Sequence, residues 1–227
     1  MISKANLKFL KDLSKNNNRE WFTKNKKTYE EMHQEMISFA EELLVLMNKH
    51  DKIETESGKK SLMRIYRDVR FSKDKSPYKN NWGGGFQRAT KQLRGGYYYH
   101  IEPGKSFVGG GFWAPEPSDL LLIRNAISAD EKGFRKIINS KSFKDFFGEL
   151  HGEKLKTVPK GFDKEDPALD LIQFKQYLIS HEFTDEEVMS KDFPKKASEA
   201  FKAMRPFFDW MSYALTHDSN GAPLYGK

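Results

Sequence analysis

Three arginines, three lysines and two aspartates share the sixteen residues RIYRDVRFSKDKSPYK, 64–79. On an extended chain Arg64, Tyr66, Asp68 and Arg70 project to one side, and Ile65, Arg67, Val69 and Phe71 to the other. Arg67 thereby shares the face that reads as buried. A buried guanidinium needs a carboxylate, carbonyls or an anionic ligand as partner, since an unpaired one costs several kcal/mol. Asp68, flanked by arginines, is expected to stay ionised and to orient a guanidinium rather than act as a general acid. In the SKDKSPYK that follows, Asp74 can cap its own backbone. Ser76-Pro77 is expected to open a short helical turn whose free N–H groups face an anion. The competing reading is a structural ion-pair network that positions a loop.

His100 and Glu102 alternate on one strand face with Tyr98 and form a candidate acid–base pair. Together with Asp68 they are the candidate catalytic groups. The six histidines show no HxxxH or HxH spacing and cysteine is absent, so neither a metal site nor a cofactor is indicated. The glycine triplets in WGGGF and VGGGF lack the spacing of a phosphate loop or a dinucleotide fingerprint. They read as bulges or as close backbone approach.

These residues need elements to hold them. The N-terminal third reads as helix, NLKFLKDL first. Asn18 then caps a long second helix whose stripe is Tyr29, Met32, Met36, Phe39, Leu43 and Leu46. The centre reads as strands: RIYRDVRF, WGGGF, and a hairpin YYYHIEPGKSFVGGGFW turning at Pro103-Gly104. QYLISHEF has strand character within a mainly helical second half. Ser128 with Glu131 and Thr184 with Glu187 fit capping boxes, and Asp166-Pro167 fits a helix opening. The last helix places Phe201, Met204, Phe208, Met211 and Leu215 on one face, and Pro206 is expected to kink it. The fold class that follows is α+β, a mainly antiparallel central sheet with helices packed around it, in a single domain over 1–227.

Composition narrows the partners. The net charge is +7, and the segment from Lys59 to Arg94 carries eleven basic residues against two acidic ones, more than the whole excess. Such local asymmetry raises the odds of an anionic partner. The longest apolar run, LLVLM at 43–47, is too short to span a bilayer, and the N-terminus has no signal-peptide core. A cytoplasmic protein without a membrane partner is expected.

Three blocks, NNNREWFTKNKKTYEE at 16–31, RIYRDVRFSKDKSPYKNNWGGGF at 64–86 and YYYHIEPGKSFVGGGFWAPEPSDLLLIRNAI at 97–127, resemble a microbial family, domain of unknown function family 2461. The resemblance implies one α+β domain of this size and brings no activity, substrate or cofactor. Its signature residues fall on Arg64, Arg67, Asp68, Arg70, Phe71, Asp74, Lys75, Pro77, Tyr78 and Lys79. They fall also on Gly111, Trp113, Pro115 and Arg124.

The leading expectation is therefore a small phosphate- or carboxylate-bearing ligand in a cationic, aromatic-rimmed pocket. Arg64, Arg70, Lys75 and Lys79 supply charge, Arg67 and Asp68 hold the frame, and Tyr98, His100 and Trp113 form the opposing wall. Whether such a protein is an enzyme is left open. A second reading is a nucleic-acid-binding module, with Tyr66, Phe71, Tyr78, Trp82 and Phe86 stacking bases. A third is a basic face that docks an acidic protein.

Overall fold

Ser3 begins the first helix: its hydroxyl accepts the Asn6 N–H and satisfies one of the donors a helix start leaves open. The computed structural model describes residues 1–218 and 220–224. Helix α1 (Lys4–Lys15) is followed by α2 (Arg19–Lys24), α3 (Lys26–Met47) and α4 (Gly58–Ser61). Strands β1 (Trp82–Gln87), β2 (Gly96–Ile101) and β3 (Ser106–Phe112) come next, then α5 (Pro117–Ala129), α6 (Glu131–Ile138), α7 (Lys141–Phe147) and α8 (Leu169–Ile172). The described chain closes with β4 (Tyr177–Phe183), α9 (Asp185–Val188), α10 (Phe193–Ala203) and α11 (Arg205–Thr216). The four strands form one antiparallel sheet in the order β1-β2-β3-β4, and the class is α+β. Among the described residues no helix is long and apolar enough to cross a membrane.

Two compact units divide the chain. The first comprises Met1–Gln87, Tyr98–Val108 and Glu182–Ala200. Asn18 caps its helix as expected, accepting the Trp21 N–H, but the long second helix is two. Asn25 interrupts it: its side-chain amide donates to the Trp21 carbonyl and its backbone leaves the helical region, so α3 starts afresh. Met32, Met36, Phe39 and Leu43 are buried along α3, while Tyr29 and Leu46 at the ends of the stripe are half-buried. Asn6 is fully buried and satisfied, donating to the Met32 carbonyl and Glu35 and accepting the Trp82 indole N–H at 2.6 Å. Thr184 and Glu187 close their capping box.

His33 stacks on Tyr29 and lies 5.8 Å from the Trp82 ring. Burial, and then the charge of Lys59, lower its pKa from the ordinary value. The unfolded chain therefore binds a proton that the folded one resists, and the stability this group contributes is present above about pH 6.5 and falls away below it. Thermal melts of the parent and His33→Gln at successive pH values check this. The parent should lose more melting temperature than the variant between about pH 7.5 and 5.5, because the variant has no proton to take up.

The second unit comprises Arg88–Tyr97, Gly109–His181 and the chain from Phe201. Phe201, Met204, Phe208, Met211 and Leu215 are all fully buried, as the spacing predicts. Pro206 does not kink one helix; it starts another. Lacking an N–H, proline suits a first helical turn, and the chain restarts as α11 after Ala203. The Ser128 box does not form either. Asp130 caps α6 through the Gly133 N–H, while the Ser128 hydroxyl donates to Asp166. Asp166 in turn accepts the Ala168 N–H at 2.7 Å and builds a turn before α8, rather than opening a helix at Pro167. Arg88, with no exposed side-chain surface, donates to Asp209 at 2.6 Å, to the Arg94 carbonyl at 3.1 Å and to the Ser212 hydroxyl at 3.3 Å.

Candidate functional site

Residues 64–79, in the first unit, form an irregular hairpin rather than a strand. One bridge pairs Tyr66 with Tyr78, the Arg67 N–H donates to the Pro77 carbonyl at 2.9 Å, and the Lys79 N–H donates to Ile65 at 2.8 Å. The expected helical turn at Ser76-Pro77 is absent, because the Pro77 carbonyl is used by this ladder. Asn17 clamps the return limb from the side. Its amide donates to the Tyr78 carbonyl at 2.9 Å and its oxygen accepts the Tyr78 N–H at 3.1 Å. Tyr78 stacks on Phe22, 4.0 Å between centroids, and Tyr66 rests beside Tyr78 at 5.4 Å. The base of the hairpin is thus fixed on α2.

The ladder ends at Arg67 and Pro77, and alternation ends with it. Ile65 is buried and Arg67 and Val69 half-buried, but Phe71, expected on that face, is 95% exposed. Arg67 is not deeply buried. Its guanidinium pairs with Asp74 and donates to the Ser76 carbonyl at 3.2 Å and to the Ser72 hydroxyl at 3.4 Å. Ser76 donates to Asp74 through both its hydroxyl and its N–H, and with Arg67 it holds the Asp74 carboxyl down at about 2. Asp68 receives Arg70 in a fork, from Nη2 at 2.6 Å and Nε at 3.0 Å, and that bond keeps its pKa below the ordinary range. Lys75 turns inward to the Val69 carbonyl at 2.9 Å. Arg67, Arg70 and Lys75 are therefore committed within the hairpin.

Arg64 and Lys79 are not. Neither has a carboxylate partner among the described residues. The ladder brings Lys79 against Ile65, the neighbour of Arg64. Burial, and next the charge of Arg64, depress the Lys79 pKa. Asp68 feels the Arg64 charge from beyond ion-pair distance, so the two neighbouring cations are only partly offset and are the electrostatic opening of this loop.

Asn80 and Asn81 continue from Lys79 into a second polar cluster. Glu102 accepts from His100 Nε2 at 2.9 Å and from the Asn80 amide at 3.1 Å. With its proton on Nε2, His100 presents the Nδ1 lone pair to the Tyr98 hydroxyl at 3.1 Å and the Asn81 amide at 3.2 Å. Phe107 stacks on the imidazole at 4.9 Å. Burial, then Glu102, raise the Tyr98 pKa. Tyr97, Tyr99 and Ile101 point to the core from the same strand, so the expected alternation along β2 is present. His100 and Glu102 are joined; Asp68, committed to Arg70, is not part of their cluster.

Trp113 belongs to the second unit and is 74% exposed. Arg124, in the same unit, donates to the Phe174 carbonyl at 3.0 Å, and a side chain on Gly111 would overlap the Tyr177 carbonyl. Sequence reasoning missed Asn17, Asn80 and Asn81, which tie the hairpin base and the histidine cluster together. Their signal was the asparagine-rich runs NNN and NN, residue types that satisfy backbone and side-chain partners where no ladder does.

A family model described as "Conserved hypothetical protein (DUF2461)" matches residues 5–210. No curated protein and no solved structure matches the chain.

Proposed function

The chain belongs to this family of conserved hypothetical proteins, and on that footing we propose that it is a cytoplasmic protein that binds a small phosphate- or carboxylate-bearing ligand at the base of the 64–79 hairpin. Arg64 and Lys79 supply the charge. Arg67, Arg70, Asp68 and Asp74 hold the hairpin in shape, and Lys75 braces it at the Val69 carbonyl. The observation that carries this reading is the division of labour among the six cations: Arg67, Arg70 and Lys75 are engaged within the hairpin, Arg64, Lys73 and Lys79 form no ion pair among the described residues, and of these Arg64 and Lys79 lie close together. An anion between them relieves like-charge repulsion that the free protein must sustain. Asp74, titrating at about 2, remains ionised at any working pH and keeps Arg67 from competing.

Thermal melting with inorganic phosphate, pyrophosphate and citrate, at ionic strength matched with potassium chloride, tests the reading. At 100 times Kd a bound anion stabilises by about 2.7 kcal/mol, so the parent should melt several degrees higher. Arg64→Ala and Lys79→Ala should melt near the parent without ligand, within about half a kcal/mol, and should lose the anion-induced rise. Arg70→Ala should keep it. A parent that no anion shifts, or variants that respond as the parent does, would refute the site.

A further inference from the structure

Phe71 presents nearly its whole ring to water at the far end of a hairpin whose base is anchored by Tyr78, Phe22 and Asn17. Tyr66, on the same hairpin, is 55% exposed and backed by the Tyr78 ring. These exposed rings stand in a charged field, and the field is cationic. Arg70 lies 5.8 Å from the Phe71 centroid, held there by its fork to Asp68. Arg64, Lys73 and Lys79 have no carboxylate partner among the described residues. Rings at 66 and 71 thus alternate along one hairpin with cations at 64, 70, 73 and 79.

We propose that this hairpin docks single-stranded nucleic acid, with Phe71 and Tyr66 stacking on bases and Arg64, Lys73 and Lys79 meeting phosphates. The phosphate contact at the hairpin base rests on the anion site proposed above; the stacking tip is independent of it. A single strand is the polymer whose chemistry repeats this alternation, an aromatic face followed by a negative charge. In a duplex the base faces are covered by one another, so an exposed ring finds none to stack on. An anionic membrane fits less well. The residues after Phe71 are Ser72, Lys73, Asp74 and Lys75, so little apolar surface would enter the bilayer beyond the one ring.

The test is fluorescence anisotropy with labelled oligothymidine and oligouridine of about 20 nucleotides, longer than a site on the order of 4–16 nucleotides. At about 50 mM salt the parent should bind in the micromolar range, and log affinity should fall with log salt at about 0.7 per phosphate contacted. Phe71→Ala should weaken binding roughly fivefold to a hundredfold, while Phe71→Trp retains it. Both variants should melt like the parent, since the ring is exposed. Absence of binding overturns the proposal. So does an unchanged affinity in Phe71→Ala, which would mean plain polyanion attraction, or a duplex of equal length that binds as tightly. Co-sedimentation with phosphatidylserine vesicles that needs Phe71, without oligonucleotide binding, would assign the tip to membranes instead. If phosphate raises the melting temperature through Arg64 and Lys79 but no oligonucleotide binds, only the stacking inference falls. If oligonucleotide binding depends on Phe71 while phosphate alone has no effect, the small-ligand reading falls and the single-strand reading stands.

Discussion

Arg88→Ala should destabilise the protein by about 3–5 kcal/mol, lowering the melting temperature by on the order of 10 °C. Its guanidinium is fully buried and donates to Asp209, the Arg94 carbonyl and the Ser212 hydroxyl, among others. Alanine leaves the two inner acceptors without this donor and opens a void beside Phe208, whose ring lies 5.7 Å from the guanidinium carbon. Asp209 itself is half-exposed and can recover water. Arg88→Met, which refills most of the volume, should therefore recover part of the loss. Arg67→Ala should cost clearly less than Arg88→Ala, because Arg67 keeps contact with solvent and its partner Asp74 lies at the surface. Chemical denaturation of the three variants reads the order directly. An Arg88→Ala protein as stable as the parent would mean that the buried guanidinium contributes nothing net.

That contrast marks what the sequence could and could not disclose. Both arginines lie in the same basic segment, and the strand pattern assigned burial to Arg67. The assignment assumed that alternation runs through Phe71. Alternation is enforced only where a neighbouring strand fixes the pleat, and here the ladder stops at Arg67 and Pro77. Asp74 lies seven residues away and satisfies Arg67 at the surface instead. Arg88 follows WGGGFQ, and its side-chain partners Asp209 and Ser212 stand more than a hundred residues along the chain on α11, where no local pattern points to them. Periodic features were legible because each helix or strand enforces its own period. The α11 face, the β2–β3 hairpin with its Gly104 turn and the β4 strand all stand where their spacing placed them. His100 and Glu102 were legible for the same reason, as neighbours on one strand face. The asparagines that join that pair to the hairpin were not, since their bonds depend on tertiary placement.

Gly58→Ala should be a severely damaging single-methyl change in the first unit, costing about 3 kcal/mol. The glycine triplets drew attention as close-approach signals, yet Gly58 stands in ESGKKS with no motif around it. A Cβ there would overlap the Glu41 nitrogen and lie 2.7 Å from the Ala40 carbonyl carbon and 2.8 Å from the Glu41 Cα. All three atoms are backbone in the middle of α3, a 22-residue helix that cannot yield locally. The contact is also bonded: the Gly58 N–H donates to the Glu41 carboxylate at 2.5 Å, and Ser61 at the end of α4 reaches the Tyr99 hydroxyl at 2.9 Å. Pushing α4 away from α3 would break both. Gly104→Ala supplies the comparison. Gly104 has φ +73° but nothing within 4 Å of a built Cβ, so alanine there meets only left-handed backbone strain, about 1 kcal/mol. Equilibrium unfolding of the two variants separates space from conformation: Gly58→Ala should lose about three times as much stability as Gly104→Ala. Equal losses, or a larger one at Gly104, would mean that α4 moves aside at little cost and that the α3–α4 approach is loose.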